Sequence, residues 1–150
     1  MQPQLLPQGS SLLLAVSGGQ DSIALLALLH DLAHLHGWDL SLWHGDHRWH
    51  DGSSRIAAEL SSWCQQRQLP LQVDQAAPGR TSEAKARQWR YEQLAQLGRQ
   101  AGADVVTGHT ASDRSETMLL QIARGSDLAG LTTLQPIRPL SADGPQLRRP

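Results

Sequence analysis

The segment at residues 17–22, which reads SGGQDS, constrains the fold of this chain more than any other. It follows an apolar run at 12–16 and precedes a helical pattern at 23–36. Consecutive glycines leave no side chain between the backbone and a ligand, so successive N–H groups can approach a phosphate. The hydroxyls of Ser17 and Ser22 and the positive end of the helix dipole add to this attraction. The segment therefore predicts a phosphate-binding loop that joins a strand to a helix.

The loop has neither of the two best-known phosphate-binding patterns. No Gly-Lys-Ser/Thr closes it, as in a Walker A loop, and its spacing is not the GxGxxG of dinucleotide-binding folds. A tight turn before a helix is the simpler interpretation of two glycines, and Asp21 could be an ordinary acidic residue of a first helical turn. The position of Asp21 inside the loop favours a role beside a metal ion instead.

Apolar, partly β-branched runs alternate with helical patterns along the chain. The strand-like runs are 12–16, 40–44, 69–73 and 104–107. The helical patterns are 23–36, 55–68, a segment capped by Thr81 or Ser82, and 112–124. The first helix is apolar on nearly every face, so we expect it to be largely buried. This alternation predicts an α/β fold, a doubly wound parallel sheet of the Rossmann-like type with right-handed crossovers.

In such a sheet the ligand binds at the carboxyl ends of the strands. Polar clusters follow three of the four predicted strands, at 17–22, 44–47 and 108–113. These clusters are therefore expected to meet at one edge of the sheet. The histidines and the carboxylate of the second cluster, with His50, could alternatively ligate zinc.

Composition limits the classes of function that remain. The net charge of −1 gives no global basic field, so any RNA contact must come from a local patch or from a partner domain. Cys64 is the only cysteine, which excludes an internal disulfide and a four-cysteine zinc or iron–sulfur site. No apolar run approaches the roughly 20 residues of a membrane span. We expect a soluble, cytoplasmic protein with no membrane partner.

Five sequence blocks, in order, resemble the N-terminal catalytic domain of the tRNA(Ile)-lysidine synthetase family, a branch of the N-type ATP pyrophosphatases or PP-loop superfamily. The blocks are SGGQDS at 17–22, HGDH at 44–47, EAKARQWRYEQL at 83–94, GHTASDRSET at 108–117 and RGSDLAGL at 124–131. The third and fifth are more selective than the first. The resemblance implies that 1–150 form a single PP-loop ATP pyrophosphatase domain of the adenine nucleotide alpha hydrolase type. The turn at 141–145 and the Arg149-Pro150 ending predict a truncated chain without the downstream tRNA-binding domains.

The resemblance also implies a reaction. Members of this family use ATP to adenylate the C2 oxygen of the wobble cytidine of tRNA(Ile), and the ε-amine of lysine then displaces AMP. The implied cofactors are ATP and Mg²⁺. The implied partners are tRNA(Ile) with a CAU anticodon and free L-lysine, and a homodimer is compatible with the sequence.

Residue roles follow from the same blocks, as implications of the resemblance. Residues expected to bind ATP are Ala15, Val16, Ser17, Gly18, Gly19, Gln20, Asp21 and Ser22, with Trp43 near the adenine and ribose. Residues expected to be catalytic are Asp46, Arg90, His109 and Asp113. Asp21 and Asp46 would hold the metal, Arg87 would join Arg90 in contacting phosphate or tRNA, and Glu116 would lie one turn beyond Asp113.

Alternatives remain open at two levels. Arg87 and Arg90 could simply pair with Glu83 and Glu92 on the same helix. At the level of function, a tRNA thiolase of the same superfamily would also adenylate a base, but sulfur delivery generally uses paired cysteines. A non-catalytic adenine-nucleotide-binding module would need the glycine loop but not the remaining polar clusters.

Overall fold

The computed structural model of the chain describes residues 5–46, 52–77, 82–108, 125 and 135–150. Its elements are β1 (Ser11–Ala15), α1 (Gln20–His36), β2 (Asp39–Asp46), α2 (Ser53–Gln66), β3 (Leu71–Gln75), α3 (Glu83–Ala101), β4 (Asp104–Thr107), β5 (Ile137–Pro139) and β6 (Gln146–Arg148). The predicted strands and the first three predicted helices are present, whereas the helix predicted at 112–124 lies outside the described residues. The third strand begins at Leu71 instead of 69, because the amide of Leu69 closes the end of α2 with a 2.9 Å hydrogen bond to the carbonyl of Cys64.

The strands form one six-stranded sheet in the order β3-β2-β1-β4-β6-β5. All neighbours pair in parallel except β5 and β6, which form an antiparallel edge hairpin. The predicted turn at 141–145 closes this hairpin, with Gly144 donating to the carbonyl of Ser141 at 3.2 Å. The chain builds β2 and β3 on one side of β1 and β4 on the other. The gap between β1 and β4 is therefore the point at which the winding direction reverses, where α/β sheets bind ligands.

Helices cover both faces of the sheet, as the doubly wound prediction requires. One core contains Leu12 and Leu14 of β1 with residues of α1 and α2, including Leu29 and Leu60. The opposite core places Leu94 of α3 against the other side of the sheet. Successive β1 side chains thus alternate between two buried faces, which explains why the strand reads as an unbroken apolar run.

The burial predicted for α1 is wrong. The helix buries Ser22, Leu26 and Leu29, but Leu28 is 47% exposed and Leu35 is 66% exposed. A helix on the face of a sheet buries one side, and the opposite side of α1 is apolar as well. The predicted end of the helix is confirmed at Gly37, which has φ 68° and donates its N–H to the carbonyl of Ala33. Within the described part of the chain, no helix is both long enough and apolar enough to cross a membrane.

Candidate functional site

A cleft of about 460 Å³ lies at the carboxyl ends of β1, β2 and β4. The N-terminal half of α3 forms its opposite wall. The residues that line the cleft are Ala15, Val16, Ser17, Ser22, Trp43, Gly45, Glu83, Ala86, Arg87, Arg90, Tyr91, Thr107 and Gly108. The floor includes the small side chain of Ala15, which leaves room for a ligand. The cleft lies at the sheet edge where the sequence predicts the polar clusters to meet.

The glycine loop is held in shape by its own serines. The Ser17 and Ser22 hydroxyls lie 3.1 Å apart, and Ser22 also donates to the carbonyl of Gly19 at 3.0 Å. The amide of Gly19 donates to Ser17 Oγ at 3.3 Å. Gly19 is the N-cap of α1 and has no side chain that could accept hydrogen bonds from the first helical amides. These amides can therefore donate to a bound anion. Gln20 and Asp21 begin the helix at this point.

Two glycines lie at close packing contacts around the loop. Gly18 has φ 89°, in the left-handed region, and a Cβ there would lie 2.6 Å from Cγ2 of Ile56 on α2. Gly108, directly after β4, would place a Cβ 3.2 Å from Cα of Ser22. The end of β4 therefore packs against the first turn of α1. This contact places the carboxyl end of β4 next to the glycine loop.

The wall opposite the loop is a cationic face of α3. Ser82 caps this helix by accepting a 3.2 Å hydrogen bond from the amide of Lys85, which confirms one of the two predicted caps. Arg87, Arg90 and Tyr91 follow on the side of the helix that lines the cleft. Within the described ranges, the ion pairs are His30–Asp31, Arg55–Glu59 and Arg148–Asp104. The alternative pairing of Arg87 and Arg90 with helix carboxylates is thus not observed there, and Glu92 accepts instead from Gln88 at 2.9 Å.

Tyr91 concentrates positive charge around one aromatic ring. The guanidinium carbons of Arg87, Arg90 and Arg138 lie 5.5, 5.9 and 5.3 Å from its centroid. Burial raises the pKa of the Tyr91 phenol, but the charges of Arg87, Arg149 and Arg90 and a hydrogen bond from Arg149 outweigh burial, so the pKa is lowered. Burial is the main reason that the pKa of Arg149 is also lowered.

The aromatic part of the floor comes from Trp43. Its indole Nε1 donates a 2.7 Å hydrogen bond to Asp74 at the end of β3, and its ring centroid lies 5.7 Å from that of Trp89 on α3. A Cβ on Gly45 would approach within 2.5 Å of the Trp43 ring. Trp43 therefore occupies the space that a side chain at position 45 would fill.

The structure brings many of the predicted site residues together in one cleft. Those that line it are Ala15, Val16, Ser17, Ser22, Trp43, Arg87 and Arg90. Gly18, Gly19, Gln20 and Asp21 complete the adjoining loop and first turn of α1. His109, Asp113 and Glu116 lie outside the described residues, as do His47 and His50 of the alternative zinc site.

Asp46 is not among the residues that line the open cleft. It is 2% exposed, and strand alternation directs its side chain to the face of β2 opposite Gly45. His44 shares that buried face, where its Nδ1 lies 2.7 Å from the carbonyl oxygen of Val16. Among the described residues, no three His, Cys, Asp or Glu side chains form a group that could hold a metal. Asp21, exposed at the start of α1, is the predicted metal ligand that remains accessible.

Sequence reasoning missed several lining residues. Tyr91, Thr107 and Gly45 line the cleft without having been singled out as site residues. Tyr91 stands directly after Arg90 in the third block, so its one-turn spacing from Arg87 was available as a signal. Arg138 and Arg149 reach Tyr91 through the edge hairpin, and nothing in the local sequence indicated that contact.

Comparison with known proteins connects this cleft to a family. A model of the PP-loop domain matches residues 2–150. The chain is 69% identical over 152 residues to a tRNA(Ile)-lysidine synthase of Parasynechococcus marenigrum (strain WH8102), covering 99% of the chain and 45% of the relative. It is 50% identical over 147 residues to the enzyme of the same name from Gloeobacter violaceus (strain ATCC 29082 / PCC 7421), covering 97% of the chain and 45% of the relative. The chain therefore spans slightly under half the length of these relatives.

A solved structure supports the fold independently of sequence. The U34-tRNA thiolase NcsA from Methanococcus maripaludis, determined with its [4Fe-4S] cluster, superposes with a TM-score of 0.78. The match covers 97% of this chain and 52% of the thiolase chain, at 13% sequence identity. At that identity the similarity establishes the α/β fold alone.

Proposed function

The chain belongs to the PP-loop domain family, and on that premise we propose that it carries the ATP-dependent chemistry of lysidine formation in tRNA(Ile). The observation that carries the proposal is the cleft itself, in which the glycine loop and the guanidinium groups of α3 face a common space. The high identity to tRNA(Ile)-lysidine synthases supports the choice of this reaction among those that a PP-loop can serve. The relatives are about twice as long as this chain, so the complete activity is proposed for a protein of their full length.

In the proposed first step, the C2 oxygen of the wobble cytidine attacks the α-phosphorus of ATP. The bond from that phosphorus to the bridging oxygen breaks, and pyrophosphate leaves. The amides at the start of α1, with Ser17 and Ser22, would hold the β- and γ-phosphates, while Arg87 and Arg90 would stabilise the negative charge that develops across the cleft. Ala15 and Trp43 would contact the adenosine.

In the second step, the ε-amine of free lysine attacks C2 of the cytosine. The C2–O bond breaks, AMP leaves, and the amine loses a proton, so that a C–N bond replaces the adenylated oxygen. We place His109 and Asp113 near the α-phosphate as catalytic candidates, together with Arg90. Asp46, buried at the end of β2, is the fourth catalytic candidate. The CAU-anticodon tRNA and lysine are the proposed partners, in the cytoplasm.

The described loop offers Mg²⁺ too few protein ligands by itself, so the phosphates of ATP would have to complete its coordination. Mg²⁺ is usually bound through one or two carboxylates together with substrate phosphates and water. Asp21 offers one accessible carboxylate at the phosphate loop, whereas Asp46 is buried on the other face of β2. We therefore propose Asp21 as the protein ligand. The ion would neutralise charge on the departing pyrophosphate.

The two other candidate functions are less well supported. A thiolase would need sulfur-handling cysteines, whereas the single Cys64 is 1% exposed in the core between α2 and the sheet. A module that only binds nucleotide would not require the arginines that line the second wall of the cleft.

Pyrophosphate exchange into ATP, measured with and without unmodified tRNA(Ile), tests the proposal. We expect exchange that depends on tRNA, and AMP release that depends on lysine. Asp21→Ala should reduce pyrophosphate release, and Arg90→Ala should reduce tRNA-dependent turnover more than ATP affinity. Arg99→Ala, on an exposed turn of the same helix, is the matched control. ATP binding without any exchange would favour the nucleotide-binding module and contradict the proposal.

A further inference from the structure

Four arginines converge on Tyr91, and together they form what we call the Tyr91 cluster: Arg87, Arg90, Arg138 and Arg149. Arg87 and Arg90 come from α3, Arg138 from β5, and Arg149 directly follows β6. Three of the guanidiniums face the ring within 5.3 to 5.9 Å, and Arg149 forms a hydrogen bond with the Tyr91 side chain. The cluster therefore joins the cleft wall to the far edge of the sheet.

The cluster is a strong local excess of positive charge. The chain as a whole has 13 lysines and arginines and a net charge of −1, so four arginines around one ring are a local charge that the overall composition does not predict. None of the ion pairs within the described ranges includes Arg87, Arg90 or Arg138. The Nε atoms of Arg90 and Arg138 are buried and make no hydrogen bond there. Guanidinium groups held this close repel one another, and an anionic ligand would offset that repulsion.

The position of the cluster separates it from the phosphate loop. The loop, on the sheet side of the cleft, already offers amides and hydroxyls to the phosphates of a nucleotide. Arg87, Arg90 and Tyr91 line the opposite wall, whereas Arg138, on the edge hairpin, lies 5.3 Å from the Tyr91 ring and is not among the residues that line the cavity. Arg138 thus adds a positive charge on the edge hairpin, outside the cleft. A polynucleotide whose base reacts inside the cleft must leave its backbone outside.

We propose that Arg87, Arg90 and Arg138 of the Tyr91 cluster bind phosphodiester groups of the RNA strand that presents the reacting base, with Arg138 as the contact furthest from the ATP phosphates. Arg149 is 4% exposed and donates to the carbonyl of Gln135 at 3.0 Å, so it supports the cluster and does not contact the RNA. This inference rests on the proposed function. Planar guanidinium groups suit the task because each can donate two parallel hydrogen bonds to one phosphate. Contact with the ring of Tyr91, at 5.3 to 5.9 Å, restricts three of these groups and so reduces the freedom they would lose on binding.

The test measures RNA and ATP affinity separately in the same protein. The probe is a fluorescent anticodon stem-loop RNA with a CAU anticodon, and its dissociation constant is measured by anisotropy over a series of salt concentrations. Arg138→Gln should weaken RNA binding about tenfold and reduce the slope of log K against log salt by about 0.7, the value for one lost phosphate contact on single-stranded nucleic acid. ATP affinity, measured by calorimetry, should change less than twofold.

Two further variants exclude trivial causes. Arg99→Gln removes an exposed arginine from the last turn of α3 and should leave both affinities and the salt slope near wild type. Arg138→Lys keeps the charge but loses the planar fork, so it should keep the salt slope while losing part of the affinity. Circular dichroism and thermal melts establish that each variant is folded. If Arg138→Gln melts early, Arg138→Lys still decides the question through its affinity.

The outcomes are distinguishable. If the wild type forms lysidine but Arg138→Gln leaves the RNA affinity and the salt slope unchanged, this inference is overturned and the proposed function stands. An equal loss of ATP and RNA affinity would assign the cluster to the nucleotide and would also overturn it. A wild-type protein that neither binds the RNA nor exchanges pyrophosphate would overturn both.

Discussion

Trp43 and Asp74 are joined by a 2.7 Å hydrogen bond from the indole Nε1 to Oδ2, across the carboxyl ends of β2 and β3. The indole is 2% exposed and forms part of the cleft floor. The same carboxylate oxygen accepts a 3.0 Å hydrogen bond from the side chain of Gln72. Since a buried indole N–H needs an acceptor, β3 contributes to the cleft without lining it.

Asp74→Ala should lower the free energy of unfolding by about 1–3 kcal/mol, because it leaves the Trp43 N–H buried without its acceptor. Gln72→Ala is the matched control: it removes an exposed donor to the same carboxylate and should cost less than about 0.5 kcal/mol. Urea unfolding followed by tryptophan fluorescence gives both values. Equal costs for the two variants would show that the Trp43–Asp74 hydrogen bond does not stabilise the floor.

Gly45→Ala should also destabilise the protein, by about 1–3 kcal/mol, because its new methyl group would overlap the Trp43 ring. A second substitution, Trp43→Leu, removes the overlapping ring atoms. In the double variant the cost of the alanine should therefore shrink by more than about 0.5 kcal/mol, a coupling that a double-mutant cycle measures. Additive effects of the two substitutions would contradict the steric explanation.

These contacts show where sequence patterns stop being informative. The runs at 12–16 and 104–107 predict buried strands because each strand is covered on both faces, and the glycine loop follows from its own composition. The overlap of Trp43 with position 45 arises because both positions lie on the same face of β2 and α3 packs over that face. The Tyr91 cluster brings Arg138 and Arg149 to a ring on α3, and such distant partners leave no periodic signal. The two-sided apolar character of α1 likewise hid which side packs on the sheet.

Tyr91 should ionise below the ordinary tyrosine pKa of about 10, because nearby guanidinium charges stabilise the phenolate more than burial opposes it. In the window between the lowered pKa and about 10, the unfolded chain binds more protons than the folded one, so stability rises with pH there. This contribution is lost as pH falls through the lowered pKa. Tyr91 is the single tyrosine, so ultraviolet absorbance of the phenolate follows it alone.

Urea unfolding of wild type and Tyr91→Phe across this window checks the sign of the linkage. The free-energy difference between them should move in favour of wild type as pH rises towards 10. Arg87→Gln should raise the Tyr91 pKa, since Arg87 is the largest of the charge contributions. A Tyr91 phenol that titrates at or above its ordinary value in the wild type would contradict the proposed arrangement of charges.

Gly18→Ala should affect both the fold and the phosphate loop, and Gly102→Ala separates the two effects. Both glycines have positive φ, 89° and 62°, so alanine should cost each of them about 1–2 kcal/mol of backbone energy. A Cβ on Gly102 meets nothing within 4 Å, whereas one on Gly18 meets Ile56 at 2.6 Å and lies in the loop.

We therefore expect Gly102→Ala to lower stability while keeping ATP affinity. Gly18→Ala should lower stability further and weaken ATP binding at least tenfold in calorimetry, because the loop must shift its amides to relieve the contact. ATP affinity reduced equally in the two variants would mean that general destabilisation, and not loop geometry, governs nucleotide binding.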